Sequence, residues 1–396
     1  MAAPAGGDLA RHWIGGEHVA GGTERIEVVD PATGEAVAAV PAGTVAEVNR
    51  AVRAARAASA EWTALDIAER AIVVRRISEG LAARASDIAA TVTREMGSPI
   101  GFSRTVQAGL PVATSAGVAA LAAEFPWAEE IGNSLVVREP VGVVAAITPW
   151  NYPLHQVVAK VVPALLAGCT VVLKPSEVAP LSAAILAEVA AEAGLPAGAF
   201  NIVHGAGPVV GEALAGHPFV DMVSFTGSTH AGRRVSVVAA ETVKRVALEL
   251  GGKSANVILD DADLNRAVKV GLANAWINGG QTCTAWTRML VPAARHDEIV
   301  EMAVAAAQRY TVGDPTEEGT RIGPMSSAAQ ARRVGGYIER GGADGAVVAF
   351  GGPGAVEGLE RGAYVRPTIF AGVAPDAVIA QEEIFGPVLS VIPYTD

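Results

Sequence analysis

A chain of 396 residues is too long for one ordinary hydrophobic core, so at least two domains are expected. It is 51% apolar and 18% charged, which gives ample material for large cores, and its net charge of −11 argues against nucleic acid or an anionic membrane as a partner. Two cysteines, Cys169 and Cys283, make a disulfide framework unsuited to the chain and fit a reducing cytoplasm.

Met1 to Trp13 lacks the apolar core of a secretory signal. The longest apolar run, Val161 to Leu173, contains Pro163 and is too short to span a bilayer. The expectation is a soluble cytoplasmic protein. In chain order, residues 13–40 carry short β-prone pieces, Trp13-Ile14 and Ile26 to Val29, split by turn signals at Asp30-Pro31 and Thr33-Gly34. Thr44 and Glu47 have capping-box spacing, and Val45, Val48, Val52 and Ala55 predict one helical face. Helices are expected over 67–83 and 85–95, ended by Gly97-Ser98-Pro99, and an Ala-rich helix then leads to Pro126. Val136 and Val137 read as part of a strand leaving the main body.

From residue 141 the pattern becomes regular. Apolar runs Val141–Ile147, Thr170–Leu173, Phe200–Val203, Met222–Phe225 and Val243–Leu248 alternate with helical stretches near 154–167, 181–193, 207–215 and 229–239. That alternation implies right-handed crossovers and a parallel sheet covered on both faces, with ligands beyond the carboxyl ends of the strands. The loops falling there are Thr148-Pro149-Trp150-Asn151, Lys174-Pro175-Ser176-Glu177, His204-Gly205-Ala206-Gly207, Thr226-Gly227-Ser228-Thr229 and Glu249-Leu250-Gly251-Gly252-Lys253. Five polar or glycine-rich loops at one edge predict a site.

Gly227 admits close backbone approach, and Ser228 opens a helix whose free N–H groups suit a phosphate. The spacing Gly227 to Gly232 is not the dinucleotide fingerprint G-x-G-x-x-G. Lys174 and Glu177 can bond ribose hydroxyls, or can form an ion pair of little value; a carboxylate there would repel a 2′-phosphate and favour NAD over NADP. Glu249 ends a strand read as buried, so partial desolvation is expected to make it a usable base near neutral pH; the alternative is a surface glutamate. Asn151 can donate to a developing oxyanion beside the Cys283 N–H, or serve only the turn.

Cys283 lies in the run Asn278-Gly279-Gly280-Gln281-Thr282-Cys283-Thr284-Ala285, between a helical pattern from Leu264 to Ala275 and a short strand, Met289 to Val291. A packing thiol belongs in an apolar run, whereas one on a Gly-rich turn can be approached and its anion stabilised by N–H groups. Cys169 enters a buried strand and reads as inert. None of the seven histidines has metal-ligand spacing, so no metal is expected.

Taken together, ThrProTrpAsnTyrPro (148–153), LysProSerGlu (174–177), PheThrGlySerThr (225–229), GluLeuGlyGlyLys (249–253), GlyGlnThrCys (280–283) and GluGluIlePheGlyPro (382–387) resemble the motifs of the NAD(P)-dependent aldehyde dehydrogenase superfamily. The resemblance implies Cys283 as nucleophile, Glu249 as general base, and Asn151 with the Cys283 N–H as oxyanion hole. It places Lys174 and Glu177 at the adenosine ribose, Ser176 among the cofactor-binding residues, and Gly227 and Ser228 at the pyrophosphate. Thr148, Pro149, Trp150 and Leu250 fall along the cofactor, and Glu383 and Phe385 at the nicotinamide ribose and ring. Lys160 matches a lysine that some members use as a charge relay.

The implied architecture is α/β: a Rossmann-type NAD-binding domain of residues 1–121 and 141–250, an oligomerisation hairpin at 122–140, and a second α/β catalytic domain at 251–396. The implied reaction is oxidation of a small-molecule aldehyde to a carboxylic acid by a homo-oligomer using NAD. Family members continue past the equivalent of Asp396, into a stretch that completes the catalytic domain and pairs across the subunit interface. Alternatives are a CoA-acylating semialdehyde dehydrogenase and a non-catalytic, NAD-binding relative.

Overall fold

A computed structural model describes residues 11–395. The stretch read for a secretory signal lies outside the described residues as far as Ala10, and so does Asp396. The chain falls into two compact units. One holds the residues up to Val28, Ala36–Glu95 and Ser103–Leu250; the other holds Val29–Glu35, Met96–Phe102 and the chain from Gly251 onward. The two inserted segments join the second unit through backbone bonds, Ala363 N donating to Pro31 O at 2.8 Å and Ile100 N to Pro315 O at 2.7 Å.

The first unit begins with β1 (His12–Ile14) and β2 (Glu17–Val19), then the paired strands β3 (Arg25–Val29) and β4 (Ala36–Pro41). Helices α1 (Val45–Ala64), α2 (Ile67–Ala83) and α3 (Ala85–Met96) follow. Reciprocal capping boxes start two of them: Thr44 N donates to Glu47 Oε2 at 2.9 Å, and Asp66 and Glu69 exchange two 2.8 Å bonds. Val48, Ala51, Val52, Ala55 and Ala58 form the buried stripe of α1, while Val45, expected on that face, is 54% exposed at its first turn. The Ala-rich helix expected next is broken, because Gly101 and Gly109 weaken it. It becomes a single turn α4 (Ile100–Phe102), which belongs to the second unit, and in the first unit a π-helical stretch Ser103–Gln107 and α5 (Gly109–Leu121).

A hairpin of β5 (Ala128–Ile131) and β6 (Ser134–Val137) is exposed throughout. The regular section then runs β7 (Val143–Ile147), α6 (Pro153–Leu166), β8 (Thr170–Lys174), α7 (Leu181–Glu192), β9 (Phe200–Ile202), α8 (Glu212–Gly216), β10 (Met222–Thr226), α9 (Thr229–Ala240) and β11 (Arg245–Glu249). Two boundaries differ from the apolar pattern. Gly142 has φ 116°, so β7 starts after it, and Val243 sits in a turn at φ 54° and 91% exposure, so β11 starts at Arg245. The helix expected near 207–215 is a π-helical turn, Gly207–Gly211, that runs into α8.

Among the described residues the sheet has seven strands in the order β11-β10-β7-β8-β9-β1-β2. The five expected strands are parallel, and β1 adds to β9 antiparallel, carrying β2 with it. Its core packs Val143, Ala145, Ile147, Val172, Val223 and Phe225 against Val48, Val52 and Ala55 of α1.

The second unit contains β12 (Ala255–Val257), α10 (Leu264–Ala275), β13 (Arg288–Pro292), α11 (His296–Ala307), α12 (Ala328–Ala343), β14 (Val347–Phe350), β15 (Thr368–Ala371), α13 (Val378–Gln381) and β16 (Val388–Tyr394). Its sheet order is β12-β13-β16-β15-β14, parallel except for β14. Leu272, Trp276, Met289, Val291, Ile299 and Leu389 fill one face. Among the described residues no helix is long and apolar enough to cross a membrane.

Candidate active site

In the first unit, the carboxyl ends of β7, β8, β10 and β11 bring most of the expected residues to one edge. Thr148 directly follows β7, is buried, and donates its N–H to Lys174 O at 3.2 Å. The register sets Ile147 opposite Phe225, so Thr148 and Thr226 stand at the ends of adjacent strands. Both threonine Oγ1 atoms are buried without a hydrogen-bond partner among the described residues. Native interiors rarely leave such groups unmatched, so two together suit a polar ligand. Pro149 and Trp150 are half-buried, and Asn151 is buried with its carbonyl accepting from Gln107 Nε2 at 3.0 Å.

Lys174 and Glu177 pair at 2.6 Å, and the lysine side chain is only 5% exposed. Burial alone pushes the Glu177 carboxyl upward, but the charge and hydrogen bond of Lys174 outweigh it and hold the group below its ordinary range. This is therefore not the loose surface pair that the sequence also allowed. Ser176 is buried, and its Oγ accepts from Val178 N at 3.2 Å.

Ser228 caps α9 by accepting Ala231 N at 3.2 Å, leaving the first N–H groups of a twelve-residue helix at the sheet edge. Gly227 has a local reason to lack a side chain, since a Cβ would come 2.6 Å from the ring of Phe225. Leu250 packs over Gly232, where a Cβ would come 2.7 Å from Leu250 Cδ2.

Glu249 differs from expectation. It is exposed, because β11 is the edge strand of the sheet and is not covered on both sides. The buried-strand reading is thus corrected. Its neighbour is Lys160, whose Nζ donates to Ser224 Oγ at 3.1 Å. Burial lowers the Lys160 ammonium to about 8, opposed by the Glu249 charge.

In the second unit, Cys283 follows a 3-10 turn, Ile277–Gly280, in which Asn278, Gly279 and Gly280 have φ of 53°, 65° and 73°. Gln281 is buried and ties this turn down, accepting Ser326 N at 2.9 Å and donating to Asn278 O at 3.3 Å. The thiol is half-exposed, unlike Cys169, which is buried and whose thiol burial pushes up. A Cβ on Gly252 would stand 3.8 Å from Cys283 O.

Glu383 and Phe385 lie on the loop before β16. Gly252 N donates to Glu383 Oε1 at 3.3 Å, and burial raises the carboxyl against the pull of Arg333 and Lys253. Phe385 takes φ 63°, fixed by Gln330 Nε2 donating to its carbonyl at 2.8 Å.

The sequence reading assigned nothing to Gln107, Gln281 or Lys253. The two glutamines act on backbone far along the chain, which no local pattern announces; Gln281 and Lys253 both stand within quoted motifs. Among the described residues no group of three His, Cys, Asp or Glu is placed to hold a metal ion.

The family model described as the aldehyde dehydrogenase family matches residues 18–396. A 3-succinoylsemialdehyde-pyridine dehydrogenase from a Pseudomonas species is 47% identical over 396 residues, covering 98% of this chain and 82% of the relative. A crystal structure of a cysteine-to-alanine variant of aldehyde dehydrogenase C from Pseudomonas syringae, with NAD+ and octanal, is 47% identical with TM-score 0.97, covering 98% of this chain and 80% of that one. The indole-3-acetaldehyde dehydrogenase AldA of Pseudomonas syringae, also a cysteine-to-alanine variant with NAD+, is 38% identical with TM-score 0.94 and the same 98% and 80% coverage.

Proposed function

Because this chain belongs to the aldehyde dehydrogenase family, we propose that it oxidises an aldehyde to a carboxylic acid with NAD, using Cys283 as nucleophile. The observation that carries the reading is the thiol itself, half-exposed on a turn held in left-handed backbone by Asn278, Gly279 and Gly280. Such a thiol is approachable, whereas buried Cys169 is not.

The first-unit edge fits NAD. Lys174 and Glu177 would hold the adenosine ribose, and the Ser228-capped start of α9 would take the pyrophosphate. The unmatched hydroxyls of Thr148 and Thr226 offer further donors. In the second unit, Glu383 would accept from the nicotinamide ribose and Phe385 would lie against the ring. NAD, when bound, supplies the two-electron acceptor.

Cys283 Sγ, as thiolate, adds to the aldehyde carbon, and the Asn151 amide with the Cys283 N–H stabilises the oxyanion. Gln107, bonded to the Asn151 carbonyl, restricts the backbone that carries the amide. After oxidation the acyl group remains on Sγ as a thioester. Glu249 takes a proton from water as the water oxygen adds to the thioester carbon; the C–Sγ bond then breaks, releasing the carboxylic acid and the Cys283 thiolate, and the exposure of Glu249 on the edge strand gives water access to it.

NADH formation with a panel of aliphatic and aromatic aldehydes, for the wild type and Cys283→Ala, tests this. Turnover in the wild type and none in the variant is expected; equal signals would remove Cys283 from the chemistry. The hairpin β5–β6 is read as an oligomerisation element because Ile131, Leu135 and Val137 are each more than half exposed on it. Sedimentation of Leu135→Asp should show a smaller species, and an unchanged one would remove the hairpin from the interface.

A further inference from the structure

Asn278, Gly279 and Gly280 run left-handed one after another, at φ of 53°, 65° and 73°. Three such residues in succession continue no regular ladder of backbone bonds, so the turn needs a hold from outside itself. Gln281 supplies it. Its side chain is buried and both ends of the amide are used: Oε1 accepts Ser326 N at 2.9 Å, and Nε2 donates to Asn278 O at 3.3 Å. Asn278 Nδ2 returns a bond to Gln281 O at 3.4 Å. The far end of the hold is itself anchored, since Met325 N, one residue before Ser326, donates to Ala363 O at 2.8 Å. A Cβ on Gly279 would stand 3.2 Å from Met325 Cε and 3.6 Å from Gln281 Nε2, so the two side chains close over the turn. All of these residues belong to the second unit.

The hold reaches the thiol through one peptide. Thr282 stands between Gln281 and Cys283. Its Oγ1 donates to Ile277 O at 3.4 Å, at the start of the same turn, and its carbonyl accepts Ala285 N at 3.0 Å. In a trans peptide the carbonyl and the N–H point to opposite sides, and no cis bond occurs among the described residues. With Thr282 O directed at Ala285, the Cys283 N–H is directed away from it. Fixing Gln281 therefore fixes the peptide plane that carries this N–H, and the Cα from which Sγ projects.

We infer that Gln281 is a positioning residue for the chemistry at Cys283: its buried amide, clamped between Ser326 N and Asn278 O, holds the turn in the one arrangement that presents the Cys283 N–H and Sγ to the aldehyde together. The inference rests on the reading of Cys283 as nucleophile and of its N–H as an oxyanion donor. Gln281 acts through backbone, two residues from the thiol. A methionine there removes both amide bonds and leaves the Ser326 N–H buried without that acceptor. A glutamate keeps the acceptor, but when ionised it turns a negative oxygen toward the Asn278 carbonyl; once protonated it regains a donor in the same place.

The chain has two cysteines, so 15N-cysteine labelling gives two amide signals, that of Cys283 assigned by its absence in Cys283→Ala. Cys169 N, bonded to Ala164 O at 2.9 Å in the first unit, is the internal reference. Gln281→Met should shift or split the Cys283 signal and leave the Cys169 signal in place. It should slow the NADH burst about a hundredfold, with the NAD dissociation constant unchanged. Alkylation by iodoacetamide, which develops no oxyanion, should change far less. In Gln281→Glu the burst rate, divided by the alkylation rate at the same pH and compared with the wild type, should recover as pH falls and the buried carboxyl takes up its proton. Gln281→Met should show no such recovery.

An unmoved Cys283 signal or an unslowed burst in Gln281→Met overturns the inference. So does a Cys169 signal that shifts alongside, or an NAD dissociation constant that rises by the same factor, because either marks a general loosening. If Cys283→Ala still turns over, the nucleophile reading fails separately, and the Cys283 amide signal still decides whether Gln281 sets the turn. Should Gln281→Met not fold, the pH dependence of Gln281→Glu carries the test within one folded chain.

Discussion

A Cβ on Gly280 would stand 2.0 Å from the carbonyl oxygen of Gly386, so the turn bearing Cys283 and the loop bearing Glu383 and Phe385 meet backbone to backbone. Gly280 also needs φ 73°. Gly280→Ala therefore combines backbone strain of about 1 kcal/mol with an overpacking cost of about 1–3 kcal/mol. Its urea midpoint should fall, and iodoacetamide should alkylate Cys283 at a changed rate. An alanine variant with both values unchanged would mean that the contact yields freely.

Glu249→Gln should keep a burst of NADH in stopped flow while steady-state turnover falls roughly a hundredfold or more. In the mechanism proposed above, the burst reports thiohemiacetal oxidation, which would not use the base, and the steady state reports thioester hydrolysis, which would. Unchanged turnover would take Glu249 out of the mechanism. A wild type whose steady-state turnover required CoA would favour the acyl-transferring alternative.

Glu177 is held ionised by Lys174 at 2.6 Å. A fixed negative charge beside the adenosine ribose disfavours a 2′-phosphate, so the wild type should prefer NAD. Glu177→Gln should narrow the ratio of kcat/KM values for NAD and NADP about tenfold. Equal use of both cofactors by the wild type would place the carboxylate elsewhere.

Glu95 gives a pH signature away from the chemistry. It is wholly buried, with Oε2 accepting Leu181 N at 2.6 Å and Oε1 accepting Ser182 N at 3.2 Å, where α7 begins. Burial outweighs those bonds and raises it from 4.5 to about 7. Between those values the folded chain keeps a proton that the unfolded chain has lost. The Glu95 contribution to stability therefore falls as pH rises through that window, by roughly 3 kcal/mol. Urea unfolding at both ends of the window should show it as a difference between the wild type and Glu95→Gln, because the buried His12 and His204, lowered by burial, act in the opposite sense in both chains.

Features set by neighbouring residues were legible in the sequence. The Thr44–Glu47 box and the polar loops after β7, β8 and β10 follow from local capping and from alternation of strand and helix. Features set by distant partners were not. Strand β1 is three residues long and carries no period to read, so its addition beside β9 went unseen. Glu249 was read as buried because its strand is apolar, but exposure depends on sheet order, which placed β11 at the edge. Val243 is apolar yet lies in a turn, because Arg245 is where pairing with Met222 begins. The seat of Glu383 on Gly251 joins residues that no window of sequence spans.

Strand β1 also sets an order of events at the ribosome. Trp13 pairs with Ile202, and His204 N donates to His12 Nδ1 at 3.1 Å across 192 residues of chain. β1 is therefore made well before β9, the strand it pairs with in the sheet. At typical synthesis rates it waits roughly ten to forty seconds with its edge unpaired. Its short length, and the histidine and glutamate of β2 beside it, limit what a nascent edge can recruit in that interval.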